Sequence, residues 1–188
     1  ASPPLHTVDG YPWNHPDTDT RETWCWVSAP GCDRILGGFH LGARGPWDHD
    51  HKTNSPTLTT RGNNAKSATS WTNPSLPSPP QFMPVSAARD YSFAWTNDWN
   101  NRLCPPVPGA PGATWDDSAA TVNLFVAHNR MHDWSYYLGF TERNFNAQDY
   151  NFGLTERRQE GDPIIGNVQA GATSGPPPQR DNANMITL

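Results

Sequence analysis

Residues 117–138 read DSAATVNLFVAHNRMHDWSYYL, and no other stretch limits the fold as tightly. Ala120, Leu124, Ala127, Met131, Trp134 and Leu138 recur at alternating steps of four and three. That rhythm sets all six on one stripe of an α-helix. Asp116, Asp117 and Ser118 stand where side-chain oxygens cap free N–H groups, and Gly139 follows where a left-handed cap closes a helix. The spacing predicts an amphipathic helix from about Asp117 to Leu138, with Met131 and Trp134 buried at the centre of its apolar face and Arg130 off it.

His128 and His132 lie beside that stripe at i and i+4. A helix that presents two imidazoles this way can bind zinc, as in H-E-x-x-H, where the glutamate acts as general base. Here the intervening residues are Asn129, Arg130 and Met131, and nowhere in the chain does Glu follow His. His128, His132 and Glu142 stay as metal candidates. The competing reading is a pair of part-buried histidines bonded to backbone or to Asp133. The run Trp47-Asp48-His49-Asp50-His51 reads as a solvated loop in preference to a metal site.

The residues after the helix extend the pattern into NLFVAHNRMHDWSYYLGFTERNFNAQDYNFG, residues 123–153. This resembles the fungalysin family of secreted zinc metallopeptidases. The similarity is carried by Asn123, Leu124, Phe125, Asn129, His132, Asp133, Tyr136 or Tyr137, Gly139, Phe140, Glu142, Asn144, Phe145 and Gln148. Other matches keep the family's order. Tyr11-Pro12-Trp13 with Asn14 and Pro16 looks like its Y-P-W opening. Thr59-Thr60-Arg61-Gly62-Asn63-Asn64 is similar to T-x-G-N-N. Asp162 to Ala170 resembles G-N-D-x-V-x-x-x-A-Q, and Asp181-Asn182-Ala183-Asn184-Met185 resembles N-N-A-N-F.

The resemblance implies an α+β fold: the β-rich, loop-rich N-terminal portion of a thermolysin-like catalytic region, with one dominant helix. It implies a secreted, extracellular endopeptidase that hydrolyses peptide bonds, with a peptide or protein as substrate. It also implies that Asn182, Ala183 and Asn184 form an edge strand that pairs with a bound peptide, since a free edge offers N–H and C=O groups to an extended chain. Zinc is the implied cofactor, with calcium a second candidate ion. The family's H-E-x-x-H and its downstream glutamate lie beyond the N-N-A-N-F segment, and the sequence stops at Leu188. No catalytic residue is therefore expected here, and the zinc ligands are expected in a C-terminal remainder of the same peptidase. The chain itself would supply scaffold and cleft walls. Pro176 to Arg180 departs from the glycine- and serine-rich pattern of relatives.

The alternative is a non-catalytic extracellular module that binds carbohydrate or protein through tryptophans and Asn/Gln loops. The 188 residues suffice for a single domain or domain fragment, 1–188, with 9 Trp to fill a core. The net charge of −5 disfavours nucleic acid, and no apolar run is long enough for a membrane span. Ala1-Ser2-Pro3-Pro4 has the look of a processed end. Cys25 and Cys32 flank a Pro30-Gly31 turn and are expected to form a short-loop disulfide, leaving Cys104 free or joined elsewhere.

Trp13, Trp24, Trp26, Phe39 and Trp47 are core candidates of a strand-and-loop region. Residues 61–115 read as an ordered wrap, because NPSLPSPPQ suits neither helix nor inner strand. Within it, Tyr91 to Trp95 alternates like a strand, and Pro163 to Val168 is a second strand candidate.

Overall fold

The computed structural model describes residues 47–77, 82–101, 116–137 and 140–174, without the side chains of Trp134, Tyr137 and Arg157. Two short strands open the described part, β1 (His49–Asp50) and β2 (Ser55–Pro56), paired antiparallel. The Asp50 carboxylate accepts hydrogen bonds from the N–H groups of Lys52 (2.9 Å) and Thr53 (3.2 Å) and so closes their turn. β3 (Ala65–Thr69) follows, then a one-turn helix α1 (Asp98–Asn101) and the long helix α2 (Asp117–Tyr137). A 3-10 turn (Arg157–Gln159) precedes β4 (Ile164–Val168), which runs parallel to β3. A parallel pair needs a long crossover, and α2 lies within it, packed on both strands. The result is a mixed helix-and-strand arrangement, and no helix among the described residues is long and apolar enough to cross a membrane.

α2 forms where the sequence predicts it, but it is turned on its axis. Met131 is 57% exposed and Ala127 is exposed, whereas Phe125 is 0% exposed. The buried residues are Asp117, Thr121, Phe125, Asn129, His132, Asp133 and Tyr136. They recur at steps of three and four on a face centred about 140° round the helix axis from the apolar stripe. The expectation that Met131 is buried is thus overturned. Trp134 and Leu138 lie outside what is described.

The physical reason is that this buried face is largely polar. Asn129 Nδ2 donates to the Phe125 carbonyl (2.8 Å) and Thr121 Oγ1 to that of Asp117 (2.6 Å), so these side chains place their donors on their own helix. Apolar periodicity alone pointed to the neighbouring face. Phe125→Ala should therefore lower the unfolding free energy by ~3–5 kcal/mol, while Met131→Ala stays within ~0.5 kcal/mol. Urea midpoints of the two variants check this, and similar losses would restore the original stripe.

At the helix start one expected cap is present, with Ser118 N donating to Asp117 Oδ1 (2.8 Å). The Asp116 carbonyl accepts from Ala120 N (2.7 Å). Its carboxylate, however, turns away to accept from Thr96 N (2.6 Å) and Thr96 Oγ1 (2.8 Å), which fixes the approach to α1.

β3 lies within residues 61–115, the stretch expected to be a wrap. Its sequence AKSAT has no apolar alternation, and its small residues suit a strand lying close beneath a helix. The Pro163–Val168 candidate appears as β4. Tyr91 to Trp95 is not a strand: Tyr91 is buried, but Phe93 and Trp95 are exposed and meet no partner strand. The core gathers Trp47, Ala65, Tyr91 and Phe125, with Val122, Val126 and Ile164 against them. Trp47 is thus a core residue as predicted, and Trp13, Trp24, Trp26 and Phe39 lie outside the described residues.

Candidate functional site

The polar face of α2 meets its partners at Asp133. This carboxylate is fully enclosed, with 1% side-chain exposure. Asp133 Oδ2 accepts from Trp47 Nε1 at 2.9 Å. Oδ1 accepts from Asn64 Nδ2 at 3.4 Å and lies 3.1 Å from His132 Nδ1. Three chain segments converge on one side chain. Burial pushes the Asp133 carboxyl above the usual carboxylate range, against the pull of His132 and Trp47. One turn on, Tyr136 OH donates to Glu142 Oε2 (2.7 Å).

The Thr59–Asn64 run works as joinery. Thr60 Oγ1 donates to the Ser67 carbonyl (2.7 Å). Gly62 passes so close to Trp47 that a Cβ would overlap the Trp47 carbonyl. Asn63 Oδ1 accepts from Tyr150 N (2.9 Å) while its Nδ2 donates to Tyr150 O (3.1 Å). The Asn/Gln-rich loop holds itself: Asn146 Nδ2 donates to Gln148 Oε1 (2.6 Å) and to Asn151 Oδ1 (2.9 Å). A second buried carboxylate, Asp48, accepts from Arg89 Nε (2.9 Å) and Tyr91 OH (2.8 Å) and also pairs with Arg89 Nη2. Burial and this carboxylate push the Tyr91 hydroxyl above its ordinary range.

Residue type alone did not mark Trp47, Asp48, Asn64, Arg89 and Tyr91 as members of these networks. The only signal was that Asn63 and Asn64 sit in a family-like motif. The metal candidates do not assemble. His132 has Nδ1 on Asp133, Glu142 has one oxygen on Tyr136, and the His128 ring lies against Gly166 of β4. Among the described residues no three or more His, Cys, Asp or Glu side chains could hold an ion together. The His132–Asp133 bond is the one the non-metal reading anticipated. Cys25, Cys32, Asn182, Ala183 and Asn184 lie outside the described residues.

His49 and His51 pack against each other and against an aromatic ring. The His51 ring contacts those of His49 (4.8 Å between centroids) and Phe152 (4.9 Å). Burial lowers His51 from 6.5 to about 4, and burial also lowers His49 and His128. Each is held neutral in the fold, so on acidification the unfolded chain takes up these protons first. Their contribution is present above pH 6.5 and is lost as pH falls through the window from 6.5 to about 4. Asp133, with its raised value, acts in the opposite sense. His51→Asn removes one of the histidine contributions, so the variant should lose less stability between pH 7 and pH 5 than the parent chain, as read from denaturant midpoints. An equal loss in the two proteins would contradict the assignment.

The fungalysin metallopeptidase (M36) family model matches residues 40–188. The chain belongs to the fungalysin metallopeptidase family. It is similar to Extracellular metalloproteinase 9 of Uncinocarpus reesii, 30% identical over 96% of this chain and 24% of that protein. It is also similar to Extracellular metalloproteinase MEP of Pyricularia oryzae, 32% identical over 76% of this chain and 20% of that protein. The fungalysin chain thus spans about a quarter of the length of these relatives. The hub at Asp133 and the Thr59–Asn64 joinery lie inside the matched region.

Proposed function

We propose that this chain is the N-terminal scaffold and substrate-cleft part of an extracellular, thermolysin-like zinc metalloendopeptidase. What supports the reading is family membership together with the structural use of the signature residues. Asn64, Trp47 and His132 converge on Asp133 and brace α2. Zinc, its ligands and the general base belong to a part of the enzyme outside this sequence, which contains no H-E-x-x-H. Peptides and proteins are the substrates. Asn182, Ala183 and Asn184 form the strand that binds the substrate backbone. Residues 1–188 fold as one unit within the catalytic region.

The test is proteolysis by the 188-residue chain. Purified protein should not hydrolyse casein in a chelator-sensitive manner. Hydrolysis that a chelator abolishes would overturn the scaffold reading and return His128, His132 and Glu142 to the centre.

A further inference from the structure

The β1–β2 hairpin has little of its own to hold it in place. Its strands are two residues long, and Ser55 and Pro56 are exposed. Elements with so few buried contacts open most readily. The turn between the strands, residues 51–54, meets the loop 149–152. Two side-chain contacts carry the join. The His51 ring packs edge-on against Phe152, with 4.9 Å between centroids and 71° between planes, and Lys52 Nζ lies 3.2 Å from Asp149 Oδ2.

The loop side of the join is firm. Asn63 holds the main chain of Tyr150 at both its N–H and its C=O, and Asp149 N donates to Asn63 O (2.8 Å). The Tyr150 ring packs on Phe152 at 5.3 Å. Phe152 has φ of 56°, a left-handed setting that an aromatic residue keeps only where its neighbours hold it. The hairpin side is weaker. The side chains of the Lys52–Asp149 pair are 47% and 23% exposed, and pairs open to solvent contribute little. The hairpin therefore depends on the His51 ring.

That ring is badly placed to carry a charge. Its second neighbour is the His49 ring at 4.8 Å, and two imidazolium ions this close repel each other. Burial takes His51 from 6.5 to about 4, with His49 adding to the fall and Asp50 opposing it. Burial also lowers His49, aided by Arg89 and opposed by Asp48 and Asp50. The nearby carboxylates already have partners. Asp48 pairs with Arg89, Asp50 accepts from Lys52 N and Thr53 N and lies 3.6 Å from Arg61, and Asp149 is shared by Lys52 and Lys66.

We propose that the His49–His51 pair is an acid-release latch: neutral, it clamps the β1–β2 hairpin onto the Tyr150–Phe152 loop, and charged, it lets the hairpin lift away while β3, β4 and α2 stay folded. Lifting widens the polar cleft between hairpin and loop, lined by Asp50, Thr57, Arg61, Asn63, Asp149 and Tyr150. The latch needs no part of the enzyme outside this chain. In the lifted hairpin His51 regains its ordinary value, so docking is favoured above pH 6.5 and weakens as pH falls towards 4. From pH 7 to pH 5, His51 alone should shift the ratio of docked to lifted forms ~20-fold.

NMR on the 188-residue chain between pH 7.5 and pH 4 tests the latch. Nuclear Overhauser contacts between the His51 and Phe152 rings should lose at least about half their intensity across this range. The Ile164 and Ser70 amides, bonded to Asn64 O (2.9 Å) and Val168 O (3.0 Å), should stay protected from hydrogen exchange. His51→Phe keeps a ring at position 51 but cannot charge, so its contact with Phe152 should persist to pH 4. Full ring contacts at pH 4 in the unchanged chain would overturn the proposal. So would equal loss in His51→Phe, or loss that coincides with exposure of the Ile164 and Ser70 amides. The imidazole of His51 in the unchanged chain gives a check that does not depend on the variant folding: it should titrate below 6.5, and a midpoint at or above 6.5 would sink the latch.

Discussion

Asp133→Ala is expected to lower the unfolding free energy by ~3–5 kcal/mol. The substitution strands the indole N–H of Trp47, the amide of Asn64 and the ring N–H of His132 in a buried place. An unsatisfied buried donor costs ~1–3 kcal/mol, and breaking a buried charged network costs ~3–5 kcal/mol. Relief of the buried carboxylate, whose value burial has already raised, offsets part of this. Domains commonly hold only ~5–15 kcal/mol, so the variant should lose a large share of its margin. Glu156→Ala is the comparison. Its pairing with Arg158 lies at the surface, with side chains 80% and 69% exposed, and should change stability by less than ~0.5 kcal/mol. Chemical denaturation of both measures the contrast. Equal midpoints would mean that Asp133 is not the joint of the three segments.

Gly62→Ala is expected to cost ~3 kcal/mol, at or beyond the upper end for an inserted methyl group. The need here is for space, because the added carbon would overlap the Trp47 carbonyl, which is backbone and cannot rotate aside. Trp47 would have to move, and its hydrogen bond to Asp133 would move with it. Gly153→Ala separates space from conformation. Nothing lies within 4 Å of Gly153, but its φ is +72°, so only backbone strain of ~1 kcal/mol should appear. If thermal unfolding shows Gly153→Ala to be the worse of the two, the close approach at Gly62 is wrong.

Much of the architecture was legible in the sequence, but not which way α2 faces. The limits of the helix follow from local signals, namely good helix formers and acidic residues at the start. Its orientation depends on what packs beneath. There, Asn129, His132 and Asp133 are buried because each finds a hydrogen-bond partner. A scan for apolar residues cannot see that, since satisfaction of a polar group depends on partners far away in sequence. Asn64 and Trp47 lie 69 and 86 positions from Asp133. β3 was hidden for a related reason: a strand of Ala, Lys, Ser, Ala and Thr shows neither apolar alternation nor bulk. The metal candidates at His128 and His132 share a helical spacing, but rotation sends one ring to β4 and the other to Asp133.

The paired contact between Asn63 and Tyr150 has a consequence for sequence drift. The amide of Asn63 grips only the main chain at position 150. Any residue with an N–H can stand there, and only proline is refused. At position 63 the demand is for a short primary amide with one donor and one acceptor held side by side. Aspartate lacks the donor, and glutamine is too long by one methylene. Substitution should therefore run freely on one side of the contact and be nearly frozen on the other. In a saturation-mutagenesis survey the two positions, though bonded to each other, would look unrelated.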